Sequence, residues 1–210
     1  LKRRDWYMGN IENALKKLQK NYPKSLNEFY PGYGDGNGIP ERNLTYQFVS
    51  AYLSLNKSAH GFFEVPFKND DEEVNHYDAI IIDKPALIII EAKRLFNRGK
   101  AKSIENDVRK IMRKRFHNQI RNNINNFIPK RIYGLILAEA WPRKFDTGLG
   151  DWWKGSKVNE TYKNWVKDRV CGNMRDWKRN AIEISYEDMN EKGEGKTDTF
   201  HILYGYKRFS

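Results

Sequence analysis

The sequence predicts an α/β fold, a mixed central sheet flanked by helices, and three observations carry that reading. Two Ile-rich runs, His76 to Asp83 and Ala86 to Lys93, have the length and composition of buried strands and are separated by one Pro-containing turn. Segments with apolar residues at helical spacing lie on both sides of this pair. A further apolar run, Ile132 to Trp141, follows the helical segment after this pair, giving the strand-helix-strand order of an α/β layer arrangement.

Taken in order, Trp6, Ile11, Ala14, Leu15 and Leu18 predict a helix over residues 6 to 21. The glycine-rich loop from Tyr30 to Pro40 lacks the preceding strand and following Lys-Ser/Thr of a phosphate cradle, so it reads as a connector. Pro40 suits the first turn of a second helix, continued by Leu44, Phe48, Ala51, Tyr52 and Leu55, with Glu41 near its start. Gly61 to Phe67 predicts the first of three successive strands. Ser103 is a plausible N-cap for a long helix reaching about Asn126. Its apolar residues change face between Ile111 and Phe116, which predicts a bend or break near Arg115. Residues 142 to 180 form a Trp-rich, basic insertion, for whose tryptophans core burial is the commoner role and base stacking the functional one. Ala181 to Tyr186 and Phe200 to Tyr206 predict a closing hairpin across 181 to 210. All 210 residues fit a single domain.

The formal net charge is +11, and the window from Lys93 to Arg131 accounts for all of it, with 13 bases against Glu105 and Asp107. Such localisation is the footprint of a polyanion binder, whereas a merely solvated helix is usually laced with both signs. Arg109, Lys110, Arg113 and Lys114 are the candidate phosphate contacts. No run is long and apolar enough to span a membrane. The basic start of the chain lacks a signal peptide's apolar segment, and the single Cys171 excludes an intrachain disulfide framework. A cytoplasmic protein is therefore expected.

The chemistry-bearing constellation is Asp78 followed by Glu91-Ala92-Lys93. With the turn centred between Lys84 and Pro85, Asp78 is placed opposite Glu91, and Lys93 opposite His76 on the same sheet face. Two carboxylates at the end of an apolar hairpin require a shared proton, a cationic partner or a metal. Mg2+, or Mn2+ in its place, suits hard oxygen ligands and typically takes one or two carboxylates plus water and substrate phosphate. A structural Asp-Lys-Glu ion network is the competing reading of the same three residues.

Helix with Glu41, strand, strand with Asp78, strand with Glu91-x-Lys93, helix, strand resembles the core of the PD-(D/E)XK nucleases, the restriction-endonuclease-like superfamily, over about residues 40 to 141. Tyr77 stands where the family's name has Pro. The resemblance implies an αβββαβ core, with Asp78 and Glu91 binding a divalent metal, Lys93 assisting the attacking water and Glu41 completing the metal environment. It implies a metal-dependent hydrolase of DNA phosphodiester bonds, an endonuclease, with duplex DNA as the expected partner and a homodimer left open. The alternative is a catalytically silent module of the same fold that holds nucleic acid or a partner protein. Glu64 is a second candidate for the auxiliary ligand, although an outward-facing strand carboxylate is its commoner role. His76, opposite Lys93, is expected beside the site, although solvent or structural hydrogen bonding is its commoner role; Asp107 is expected as an i,i+3 or i,i+4 partner of Lys110 or an Arg, and Gln119 as a polar surface residue within reach of substrate.

Overall fold

The computed structural model describes residues 6–28, 41–68, 74–95, 98–124, 128–140, 148–155, 172–189 and 195–209. The glycine-rich loop, Trp141, Trp165 and Cys171 lie outside them. The elements are α1 (Trp6–Glu28), α2 (Glu41–Leu55), β1 (His60–Lys68), β2 (Val74–Asp83), β3 (Ala86–Leu95), α3 (Arg98–Met112), α4 (Lys114–Asn123), β4 (Arg131–Ala140), α5 (Leu149–Lys154), β5 (Lys178–Met189) and β6 (Gly195–Arg208). The six strands make one mixed sheet in the order β1-β2-β3-β4-β6-β5. Only β3 and β4 run parallel, because α3 and α4 supply the long crossover between them.

Helices cover both faces. Ile11, Leu15 and Leu18 of α1 and Leu44, Phe48 and Tyr52 of α2 pack on Ile81, Ile88, Ile90 and Leu135. On the opposite face Ile104, Val108 and Ile111 of α3 and Trp152 and Trp153 of α5 pack with Leu87, Ile89, Ile136 and Leu203. Burial on both faces explains the near-continuous apolar runs of β3 and β4.

Several boundaries differ from expectation. Helix α1 continues through Pro23 to Glu28. Tyr22, fully buried, donates to Glu139 at 2.6 Å, and Gln47 of α2 donates to Ser25 at 3.0 Å, so tertiary bonds hold the segment past the proline. The long helix is broken into α3 and α4 close to where its change of face predicts. It begins at Arg98, not Ser103, and breaks at Arg113, whose ψ of 115° is extended. The break resolves the two-faced apolar pattern: Ile111 and Ile120 are both buried, whereas Met112 is 38% exposed. The hairpin strands β5 and β6 extend beyond both predicted ends. In the Trp-rich stretch, Trp152, Trp153 and Trp177 are buried, and the Trp153 indole donates to the Tyr204 carbonyl at 2.8 Å. These three are core, not a stacking surface.

Candidate active site

The β2–β3 ladder runs from Asp83 opposite Ala86 to Ala79 opposite Ile90, in the register expected from the turn. One residue further on the strands part. Instead of simply facing Glu91, Asp78 turns its carboxylate to the backbone and accepts the Ala92 N–H at 2.6 Å. The cause is visible on the neighbouring strand. Phe63 pairs with Ala79 and Val65 with Tyr77, so Glu64 and Asp78 form a step between two stretches of ladder. Glu64 has a φ of +50°, a left-handed conformation in the middle of a strand. Across the step the strand changes face: Ala79 and Ile81 point to the α1–α2 core, and Tyr77 to the α3 core.

Glu91 is nearly inaccessible at 1% exposure, and Lys93, two residues on, is half-buried on the same face, toward α3. Two α3 side chains at i,i+3 spacing meet them. The Lys93 ammonium lies 3.4 Å from Asp107 and 3.9 Å from Glu41, and the Lys110 ammonium is in ion-pair contact with Glu91 and 3.5 Å from Asp107. Lys110 also donates to the His76 carbonyl at 3.3 Å and rests over the Phe67 and Tyr77 rings. Glu41, at the first turn of α2, accepts the Arg94 N–H at 3.0 Å and pairs with Lys100 at 3.6 Å.

Burial, reinforced by Asp107 and Asp78, pushes the Glu91 carboxyl well above its ordinary pKa although Lys110 pulls it down. Burial likewise raises Asp107, against the pull of Lys93 and Lys110. Burial alone would lower Lys93, but Asp107, then Asp78, Glu91 and Glu41, outweigh it and raise its pKa. Lys93 is therefore a cation at neutral pH, suited to binding water or an oxyanion rather than to taking up a proton.

Asp78, Glu91, Lys93 and Glu41 thus come together where β2 and β3 part. The four basic candidates do not all follow. Lys110 faces inward to the carboxylates, and Arg109 is held by Glu105 at 2.5 Å. A Cβ on Gly134 would lie 2.4 Å from Ile111, and Gly134 pairs with Ile89, on the turn side of Glu91. Helix α3 therefore descends away from the carboxylates, and Arg113 and Lys114, both exposed, stand beyond Ile111 toward the other end of the sheet. Arg131 lies over the Tyr7 ring on the opposite face. The basic window is consequently not one wall. Gln119, expected on the surface, exchanges two hydrogen bonds of 3.0 Å with the Lys68 backbone and ties α4 to the edge strand. Glu64 is half-exposed and pairs with Arg42 at 3.4 Å.

No family model, no curated protein and no solved structure matches the chain. What the arrangement can do must be read from its geometry.

Among the described residues no three His, Cys, Asp or Glu side chains are gathered as a metal-holding group. The three-carboxylate set Asp78, Glu91 and Glu41 is therefore not a preformed cage; each carboxylate is occupied by a protein donor, for the physical reason that buried anions take the nearest cation or N–H. The donor chemistry nevertheless suits a hard divalent ion. Glu91 is buried beside two further carboxylates, and the cation such a cluster requires is supplied by Lys110. Among the described residues no helix is long and apolar enough to cross a membrane.

Proposed function

We propose that this chain is a nuclease of the PD-(D/E)XK kind, a restriction-endonuclease-like α/β protein that hydrolyses phosphodiester bonds of DNA with Mg2+ or Mn2+. The observation that carries the reading is the meeting of Asp78 and Glu91 with the charged Lys93 where the β2–β3 ladder opens. The element order α2-β1-β2-β3-α3-α4-β4 supports the family reading.

In this account Asp78 and Glu91 hold the metal, with Glu41 as auxiliary ligand. A divalent ion there supplies Lewis-acid polarisation of the phosphoryl oxygen and acidifies a bound water. Lys93, kept protonated by Asp107 and its neighbours, orients that water and stabilises charge developing on the phosphate. Asp107 is a positioning residue that acts through Lys93. Lys110 is the counter-ion of Glu91 and would have to leave that carboxylate for a divalent ion to be held there. Water adds to phosphorus and gives up one proton to solvent, the ester P–O bond breaks, and the departing oxygen takes up a proton from solvent.

One observation favours a second reading. Lys110 already neutralises Glu91, and with no preformed three-residue metal group among the described residues this suits a silent module that binds nucleic acid or a protein without cutting. Incubation of supercoiled plasmid and labelled oligonucleotides with Mg2+, Mn2+ or EDTA separates the two. The nuclease reading expects metal-dependent nicking that Glu91→Gln abolishes while DNA binding persists. Binding without cutting under either ion establishes the silent module instead.

A further inference from the structure

We infer that the cleft between α2 and β1 beside Asp78 binds one unpaired nucleobase of the strand whose phosphodiester lies at Asp78 and Glu91. The inference rests on the nucleic-acid reading above and specifies the form of nucleic acid that the site takes. The cleft, of about 340 Å³, is lined by Arg42, Asn43, Tyr46, Phe63, Glu64 and Asp78. That volume is at the lower end of small-ligand sites, roughly 300–1,000 Å³, which suits a single nucleoside rather than a longer segment.

Its walls have the chemistry of a base. Tyr46 on α2 and Phe63 on β1 approach with ring centroids 6.3 Å apart and planes inclined by 30°. Both are well exposed, at 58% and 45%, although Phe48 and Tyr52, on the same helix as Tyr46, are wholly buried. Two adjacent exposed aromatic rings beside a carboxylate site form a stacking platform, and every base offers a π-face to such a platform whatever its sequence. A base inside a duplex has both faces covered by its neighbours, so only an unpaired or extruded one can use these rings. Asn43 contributes an amide able to donate to and accept from a base edge. Arg42, with its side chain 85% exposed, makes a solvent-exposed pair with Glu64 and can exchange it for a phosphate.

The backbone supplies an independent sign. The left-handed Glu64 follows Phe63 directly and lies across from Asp78. Non-glycine residues in this conformation carry local strain and concentrate at ligand-binding and active sites. Here the step aims Phe63 at α2 and parts Asp78 from β3, so one distortion shapes both the stacking wall and the carboxylate end. The expected duplex substrate is thereby narrowed to DNA with an unpaired nucleotide at the reacting position: a single strand, a frayed end or an extruded base.

The test is binding of the full chain in EDTA to a fluorescein-labelled single-stranded oligodeoxynucleotide and to a blunt duplex of the same sequence. A 2-aminopurine in the strand reports stacking. Wild type should bind the single strand more tightly and quench the 2-aminopurine. Tyr46→Ala with Phe63→Ala should weaken single-strand binding on the order of 10- to 100-fold and abolish the quenching, with duplex binding little changed. Tyr46→Trp, which keeps a platform, should preserve both, and circular dichroism checks that each variant is folded. Unchanged single-strand binding by the folded double variant, or equal losses on single strand and duplex, overturns the proposal. Because EDTA prevents cutting, stacking by a protein that never cleaves leaves this inference standing and removes the nuclease reading. Cleavage that is indifferent to both aromatic residues does the reverse.

Discussion

The Lys110 ammonium lies on the Glu91 carboxylate, deep at the carboxylate end of the sheet, and the same ammonium is 3.5 Å from Asp107. A lysine read from the sequence as a phosphate contact is thus the internal counter-ion of a buried acid. The i,i+3 relation to Asp107 puts both residues on the flank of α3 that borders its buried Ile104–Val108–Ile111 stripe.

Removing that ammonium leaves Glu91 uncompensated. Lys110→Met should therefore destabilise the metal-free protein by about 3 kcal/mol, the scale on which a buried pair loses one partner. Mg2+ or Mn2+ should restore stability in the variant more than in wild type, because the ion no longer competes with a tethered cation. Thermal unfolding with and without each ion measures both effects. A variant indifferent to both ions speaks against a cation site at Glu91.

The raised pKa of Glu91 means that its charged form opposes folding. A carboxyl raised in the folded state contributes stability at low pH that is lost as pH rises through the folded value. Glu91→Gln should thus raise Tm at pH 7–8 by about 2–4 °C, the shift that about 1 kcal/mol produces at this chain length. The advantage should shrink as pH falls and wild-type Glu91 takes up its proton. Calorimetry across pH checks the sign; a Tm that falls at neutral pH contradicts it.

Strain at Glu64 is testable by shape alone. A β-branched residue is poorly accommodated at a φ of +50°, so Glu64→Val should cost about 2 kcal/mol, whereas Glu64→Gly should be neutral or stabilising. The exposed pair with Arg42 is too weak to reverse that order. Denaturant unfolding of the two variants distinguishes them.

Gly134 controls the site at a distance. An added Cβ would lie 2.4 Å from Ile111 and 2.8 Å from Phe209, both side chains in the packed core, so Gly134→Ala must displace α3. Overpacking of this kind costs about 1–3 kcal/mol. Since α3 carries Asp107 and Lys110, the variant should also lose the proposed nuclease activity beyond what its stability explains. Full activity in a folded Gly134→Ala protein would show that α3 is not needed to place these groups.

Much of this was legible in the chain because apolar runs and turn chemistry are local signals. The Lys84–Pro85 turn fixed the hairpin register, and strict pairing carried it to Ala79 and Ile90. The parting at Asp78 was not legible, since it depends on a left-handed residue in the next strand that no glycine announces. The direction of α3 was not legible either. Charge counting treats Lys110, Arg113 and Arg131 alike, but helix descent and sheet face send them to a buried acid, the far end and the opposite surface. Asp107 is the instructive case: its helical pairing with Lys110 was readable from spacing, but its contact with Lys93 required the packing of α3 on β3.

The central claim, a divalent-ion site at Asp78 and Glu91 that Lys110 guards, is tested most directly by a crystal soaked in Mn2+ and measured for anomalous scattering. The account predicts a Mn2+ peak between the Asp78 and Glu91 carboxylates, with the Lys110 ammonium moved off Glu91. Lys110 still seated on Glu91 at saturating Mn2+, with no peak between those carboxylates, would contradict it.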